Sequence, residues 1–207
     1  MSKRIFDLFF SFLGLFFLSP VLMFVACRIK QFDKGPVFYR GVRVGKGGTL
    51  FRIFKFRTMV IDAEKKGPSS TSEEDLRITK IGKVLRKYKL DELPQLINVL
   101  LGEMSFVGPR PQVEWAVKLY TEEEKKLLSV NPGITDLASL KFSNEGELLR
   151  NSDDPDKFYM ENIHPEKVRL SLKYVQNSSV LVDFKIVLFT IGKLIFPNLI
   201  NGEPSIS

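Results

Sequence analysis

Apolar side chains fill almost every position from residue 8 to residue 27, with Lys3 and Arg4 just before the run and Arg28 and Lys30 just after it. The length fits a helix that crosses a bilayer. No small-x-small cleavage site closes the run and the following residues are rich in Lys and Arg, which argues against a cleaved signal peptide. Two features compete with a simple span. Ser19-Pro20 lies mid-run, where a proline removes a backbone hydrogen bond and kinks a helix. Positive charge at both ends also asks both to remain cytoplasmic. A helix broken at Ser19-Pro20 that enters and leaves one leaflet meets both demands, with Ser19 capping backbone groups freed at the break. From the pattern alone, a spanning helix and a re-entrant one both stay open.

Beyond residue 35 the period shortens. Residues 37–39 and 50–56 read as strands of a hairpin turning at Gly45-Lys46-Gly47-Gly48. These glycines satisfy neither G-x-x-x-x-G-K-[ST] nor G-x-G-x-x-G, so a turn accounts for them better than a phosphate loop. Residues 61–75 are polar and read as a surface loop. Residues 77–90 alternate Arg77, Lys80, Lys83, Arg86, Lys87 and Lys89 with Ile78, Ile81, Val84 and Leu85. That is a basic amphipathic helix, suited to an anionic membrane surface or to an ordinary solvated face. Leu93, Leu96, Ile97 and Leu100 recur at helical spacing, which predicts a helix from about Asp91 with Pro94 in its first turn. Residues 113–128 predict another helix with a restart at the capping box Thr121-Glu122-Glu123-Glu124, and Asn131-Pro132-Gly133 a turn. Residues 145–156 are acidic and irregular, without metal-loop spacing. Residues 178–200 are apolar but carry Asp183, Lys185 and Lys193, which fits a helix lying along the membrane. The expected fold class is α+β: a re-entrant membrane helix over 1–32, a compact catalytic domain over 33–200 with a small hairpin and amphipathic interfacial helices, and a tail over 201–207.

Composition narrows the chemistry. The 207 residues carry a net charge of +7, which points to an anionic partner: nucleic acid, a membrane surface or a phosphorylated substrate. One cysteine, Cys27, excludes an internal disulfide. One histidine, His164, followed by Pro165 in a polar stretch, reads as a surface residue and leaves His-based catalysis and His/Cys metal sites poorly supported.

The candidate chemistry centres on Asp91 and Glu92. In the bland reading Asp91 is an N-cap and Glu92 a first-turn acid, each contributing roughly 0.5–1 kcal/mol to a helix. In the functional reading the pair faces a site that also attracts phosphate, so that Asp91 attacks while Glu92 holds a metal. Basic residues surround the pair in sequence. Lys55 and Arg57 end the second strand as a solvated rim or a phosphate clamp. Arg110 is held between Pro109 and Pro111, which aims its guanidinium as bidentate phosphate recognition prefers.

Together these motifs resemble the bacterial sugar transferases known as small monotopic phosphoglycosyl transferases, over nearly the whole chain. The resemblance rests on Ser19-Pro20, Phe54-Lys55-Phe56-Arg57-Thr58-Met59, Leu90-Asp91-Glu92-Leu93-Pro94-Gln95-Leu96, residues 104–111 and Pro132-Gly133-Ile134-Thr135. It implies a re-entrant helix broken at Ser19-Pro20 and a two-step reaction at the cytoplasmic face of the bacterial inner membrane. Asp91 would attack the β-phosphate of a UDP-sugar, UMP would leave, and undecaprenyl phosphate would take the phosphosugar from the aspartyl intermediate to start a surface glycan. By position, Glu92 would coordinate Mg²⁺, and Lys55, Arg86 and Arg110 would bind phosphate groups or order the site. Membrane lipids are the remaining partner and nucleic acid is not one.

The chain departs from the family pattern in two places. It reads Asn131-Pro132-Gly133-Ile134-Thr135-Asp136-Leu137-Ala138-Ser139 where many members have Arg-Pro-Gly-Ile-Thr-Gly, then Trp or Leu, Ala and Gln. Ser171 stands where an acidic residue is expected shortly before Tyr174. These changes leave Asp91 untouched and bear on which sugar is bound. The rival from another class is a non-catalytic membrane-surface scaffold in which Asp91-Glu92 only caps a helix. A nucleic-acid binder is the third option and has no recognisable module.

Overall fold

The fold was obtained as a computed structural model that describes residues 2–63, 75–143, 145, 148, 155–196 and 204–206. Most of the polar loop expected over 61–75 and of the acidic stretch over 145–156 lies outside them. The architecture is α+β: among the described residues, long helices near both ends of the chain accompany three small two-stranded sheets.

Helix α1 (Ser2–Asp33) is long and apolar enough to cross a membrane. The expected break at Ser19-Pro20 is absent: α1 is one continuous helix with Pro20 inside it. Proline lacks the N–H that would bond the carbonyl four residues back, which is that of Phe16. The Ser19 hydroxyl donates to that Phe16 carbonyl at 2.7 Å, so the orphaned acceptor is satisfied within the helix. Both ends of α1 are tied to the same globular domain. Near its start Asp7 accepts from Ser105 Oγ at 3.0 Å and Phe106 N at 3.1 Å, and Arg4 donates to the Leu100 carbonyl at 2.7 Å. Near its end Val25 and Ile29 pack with Phe56 and Leu85. The opposite face leaves Phe12, Phe16, Phe17, Met23 and Phe24 largely exposed.

Strands β1 (Phe38–Tyr39), β2 (Val42–Val44), β3 (Leu50–Arg52) and β4 (Lys55–Phe56) form the expected hairpin. Val44 pairs with Leu50 across the turn, and Tyr39 with Lys55 one step further out. Gly47 and Gly48 have positive φ, as such a turn favours. Helix α2 (Lys80–Lys87) is capped by Thr79, whose Oγ1 accepts from Gly82 N at 3.0 Å. It is pressed so close to the chain at Thr58 that a Cβ on Gly82 would lie 2.0 Å from the Thr58 carbonyl.

The helix expected from Asp91 begins later. Leu90–Glu92 forms a 3-10 turn after Lys89 in the left-handed region, and α3 (Gln95–Leu101) starts with Pro94 as a cap residue that makes no side-chain capping bond. Parallel strands β5 (Ser105–Val107) and β6 (Gly133–Thr135) follow. The long helix expected over 113–128 is instead α4 (Glu114–Val117) and a 3-10 segment (Glu124–Ser129). The capping box holds: Glu124 N donates to Thr121 Oγ1 at 3.2 Å and Thr121 N to Glu124 Oε2 at 2.7 Å. Then come α5 (Leu137–Lys141), α6 (Pro155–Phe158), a π-turn (Tyr159–Ile163), α7 (His164–Gln176) and α8 (Val180–Ile195).

Three apolar clusters hold these pieces. Val107, Leu137, Leu170, Tyr174 and Ile186 join β5 to α5, α7 and α8. Phe51, Ile53, Val99 and Met104 join the hairpin to α3. The α1 cluster with Phe56 and Leu85 completes the frame.

Candidate active site

Asp91 and Glu92 lie in the 3-10 turn where α2 gives way to α3. A non-glycine residue in the left-handed region, here Lys89 at φ 55°, is uncommon and costs roughly 1 kcal/mol or more, so the packing around it must impose the turn. The turn leads Asp91 into the protein: its carboxylate is buried and, among the described residues, accepts no hydrogen bond. The helix-cap account of this residue therefore fails on geometry. Burial pushes the Asp91 carboxyl above its usual range; Lys55, Arg86 and Lys89 pull it back, and Glu92 adds to the rise.

Glu92 differs from its neighbour by its partners. Lys55 Nζ and Arg110 Nη2 both donate to Oε1, at 2.6 and 2.7 Å. Burial alone would raise Glu92, but the guanidinium and the ammonium hold its carboxyl well below the usual carboxylate range. Lys55 is lowered by burial, and Glu92 opposes the fall. Arg86, at the end of α2, donates from Nε to Thr58 Oγ1 at 3.0 Å and is lowered chiefly by burial. The expected residues Lys55, Arg86, Asp91, Glu92 and Arg110 thus converge from four separate segments. Arg57 turns elsewhere, donating from Nε to the Pro36 carbonyl at 2.6 Å. Ser19 and Pro20 are exposed on α1 and bear on the helix rather than the site.

Arg110 is aimed by a close backbone approach. A Cβ on Gly133 would lie 2.1 Å from Gly108 N, and one on Gly108 would lie 2.3 Å from the Asn131 carbonyl. Only glycine at both positions lets Gly108 N reach the Thr135 carbonyl at 3.1 Å and Gly133 N the Pro109 carbonyl at 3.0 Å. The two motifs read separately in sequence are one construction.

The donor set admits an oxygen-preferring ion only sparingly. Among the described residues no group of three His, Cys, Asp or Glu side chains comes together. Glu92 Oε2 and the Asp91 carboxylate have no protein partner there. That suits Mg²⁺, which is commonly held by one or two carboxylates plus substrate phosphates. With three cations facing two carboxylates, the pocket keeps an excess of positive charge that draws a phosphate.

Several residues that position the site were missed as such in sequence. Asn98, fully buried, accepts from Phe54 N at 2.8 Å and donates to the Arg52 carbonyl at 2.9 Å, fixing the hairpin beside Lys55. Asp183 is not at a headgroup interface but fully buried, accepting from Tyr174 Oη at 2.6 Å and from Lys3. An acid within an apolar run was the signal for it. The departure at Asp136 has a local reason, since its carboxylate caps α5 by accepting from Ser139 N. Nothing in the structure explains Ser171.

The family model for bacterial sugar transferases matches residues 1–197. The exopolysaccharide production protein ExoY of Sinorhizobium fredii is 36% identical over 206 residues, covering 92% of this chain and 84% of that protein. The UDP-glucose:undecaprenyl-phosphate glucose-1-phosphate transferase of Klebsiella pneumoniae is 35% identical over 92% of this chain, but only 39% of that protein is covered. The undecaprenyl-phosphate glucose phosphotransferase of Komagataeibacter xylinus is 39% identical over 95% of this chain and 36% of its own length. The chain spans well under half of these last two relatives.

Proposed function

The chain belongs to the bacterial sugar transferase family, and from that premise we propose that it transfers a phosphosugar from a UDP-sugar to undecaprenyl phosphate. The observation that carries this reading is Asp91, a buried carboxylate without a hydrogen-bond partner beside Lys55 and Arg86. A carboxylate nucleophile divides one difficult displacement into two easier ones.

In the first step an Asp91 oxygen attacks the β-phosphorus of the donor. The bond from that phosphorus to the oxygen bridging the two phosphates breaks, UMP leaves with that oxygen, and the phosphosugar remains on Asp91 as an acyl phosphate. In the second step a phosphate oxygen of the acceptor attacks the same phosphorus and the bond to Asp91 breaks. The carboxylate is restored and a polyprenyl diphosphate sugar departs to begin a surface glycan. Lys55, Arg86 and Arg110 stabilise charge on the transferring phosphoryl group, commonly the largest catalytic effect. Glu92 holds Lys55 and Arg110 in register. Together with the donor phosphates it would hold Mg²⁺, which when bound supplies further charge neutralisation.

The disposition of α1 supports a one-sided membrane protein. Because both ends of the continuous helix α1 contact one domain, α1 lies along that domain with its exposed apolar face in one leaflet, and the domain sits on the cytoplasmic face of the inner membrane. The test is UMP release from a panel of UDP-sugars by purified protein in detergent, with undecaprenyl phosphate and Mg²⁺, beside the Asp91→Asn variant. Release with one sugar and none from the variant is expected. Silence across the panel from folded protein would overturn the reading.

A further inference from the structure

The elements that carry the site also enclose a second space. Leu22, Met23 and Ala26 of α1 form one wall, and Phe56, Pro94 and Ile97 the other, of a cleft of about 200 Å³ with a wholly apolar lining. Phe56 follows Lys55 on β4 and Pro94 lies three residues beyond Asp91, so the segments that carry the charged site also carry the cleft. Its α1 wall runs into the exposed face at Met23 and Phe24.

Resting on the function proposed above, we propose that this cleft takes the first isoprene units of the polyprenyl phosphate acceptor, with the acceptor phosphate at Lys55 and Arg86. An alkyl phosphate joins an anion directly to a hydrocarbon, so its site must set a cationic pocket against an apolar one, as here. A dry apolar cavity of about 150 Å³ holds a benzene ring, so this cleft accommodates a branched five-carbon unit with space for part of the next. The rest of the chain continues along the exposed face of α1 into the bilayer. A phospholipid is the poorer occupant. It places a glycerol and ester groups between phosphate and chains, and these would lose water without gaining a hydrogen-bond partner.

The test uses the whole protein in nanodiscs with geranyl phosphate carrying a diazirine in its first or second isoprene unit. Label is expected on Met23, Ala26 or Ile97, competed by undecaprenyl phosphate and not by phosphatidylglycerol. Label elsewhere, or competition by phosphatidylglycerol to the same degree, overturns the assignment. In the kinetic arm Ala26→Phe fills the cleft and should raise the acceptor KM by about tenfold or more, with the donor KM moving less than about twofold. Ile97→Ala, which removes a wall, should shift the acceptor KM in the same direction if Ala26→Phe does not fold. An acceptor KM unchanged in a folded variant overturns the assignment. Because labelling needs no turnover, label at the cleft in a protein that releases no UMP would sink the transfer reaction alone.

Discussion

Replacing Asp91 by Asn should abolish turnover and at the same time make the protein more stable. An uncharged buried group without a partner costs roughly 1–3 kcal/mol, and a charged one costs more. Asp91 is such a charged group, 8% exposed with no hydrogen bond among the described residues. Lys55, Arg86 and Lys89 return part of that cost through space, so the expected net gain for Asn is about 1–2 kcal/mol. For a chain of this size that is a Tm increase of about 2–8 °C. The sign with pH follows from the raised carboxyl. The folded state binds the Asp91 proton more tightly than the unfolded state does, so wild-type stability is favoured at low pH and declines as pH rises through the native value. The advantage of Asn should therefore be small below the ordinary aspartate value of 3.8, grow as pH rises, and level off above the native one. Thermal unfolding in detergent, followed by Trp115 fluorescence across this range and paired with UMP release, reads both effects. An Asn variant that is less stable than wild type at neutral pH would refute the reasoning and return Asp91 to a structural role.

Glu92→Gln should cost about 2–3 kcal/mol, because it leaves Lys55 buried without its anion, while the half-exposed Arg110 arm contributes little. Glu92 is held low in the folded state, so this loss should be full above the ordinary glutamate value of 4.5 and shrink as pH falls below it; a denaturant midpoint series at several pH values checks it. Gly133→Ala drives a methyl into the backbone of Gly108 and should cost at least about 2 kcal/mol, with activity falling as Arg110 is displaced, measured by unfolding and UMP release together. Asp183→Asn leaves Lys3 without its carboxylate and weakens the bond from Tyr174; a loss of about 3 kcal/mol is expected, with faster proteolysis near the start of α1.

Local pattern and composition determined much of this protein. The apolar run, the hairpin turn at Gly45-Lys46-Gly47-Gly48, the Thr121 capping box and the adjacent carboxylates Asp91-Glu92 are set within a few residues of one another, which spacing records. Tertiary structure decided the rest. Asp91 reads first as a helix cap and second as a nucleophile from its window alone, and only the left-handed turn at Lys89 buries it without a capping bond, because burial is a property of the surroundings. Leu93 and Leu96 share the period of α3, which predicts the helix from Asp91, but the chain first passes through the left-handed Lys89 and a 3-10 turn, so the helix waits until Gln95. Ser19-Pro20 signals a lost backbone bond, yet the Ser19 hydroxyl repairs it in place and the helix continues. Lys3 and Asp183 look like charges for solvent or headgroups, 180 residues apart, until folding brings them together in the core. Sequence spacing reports neighbours along the chain, whereas desolvation and charge pairing depend on neighbours in space, and those become known only once the elements have packed.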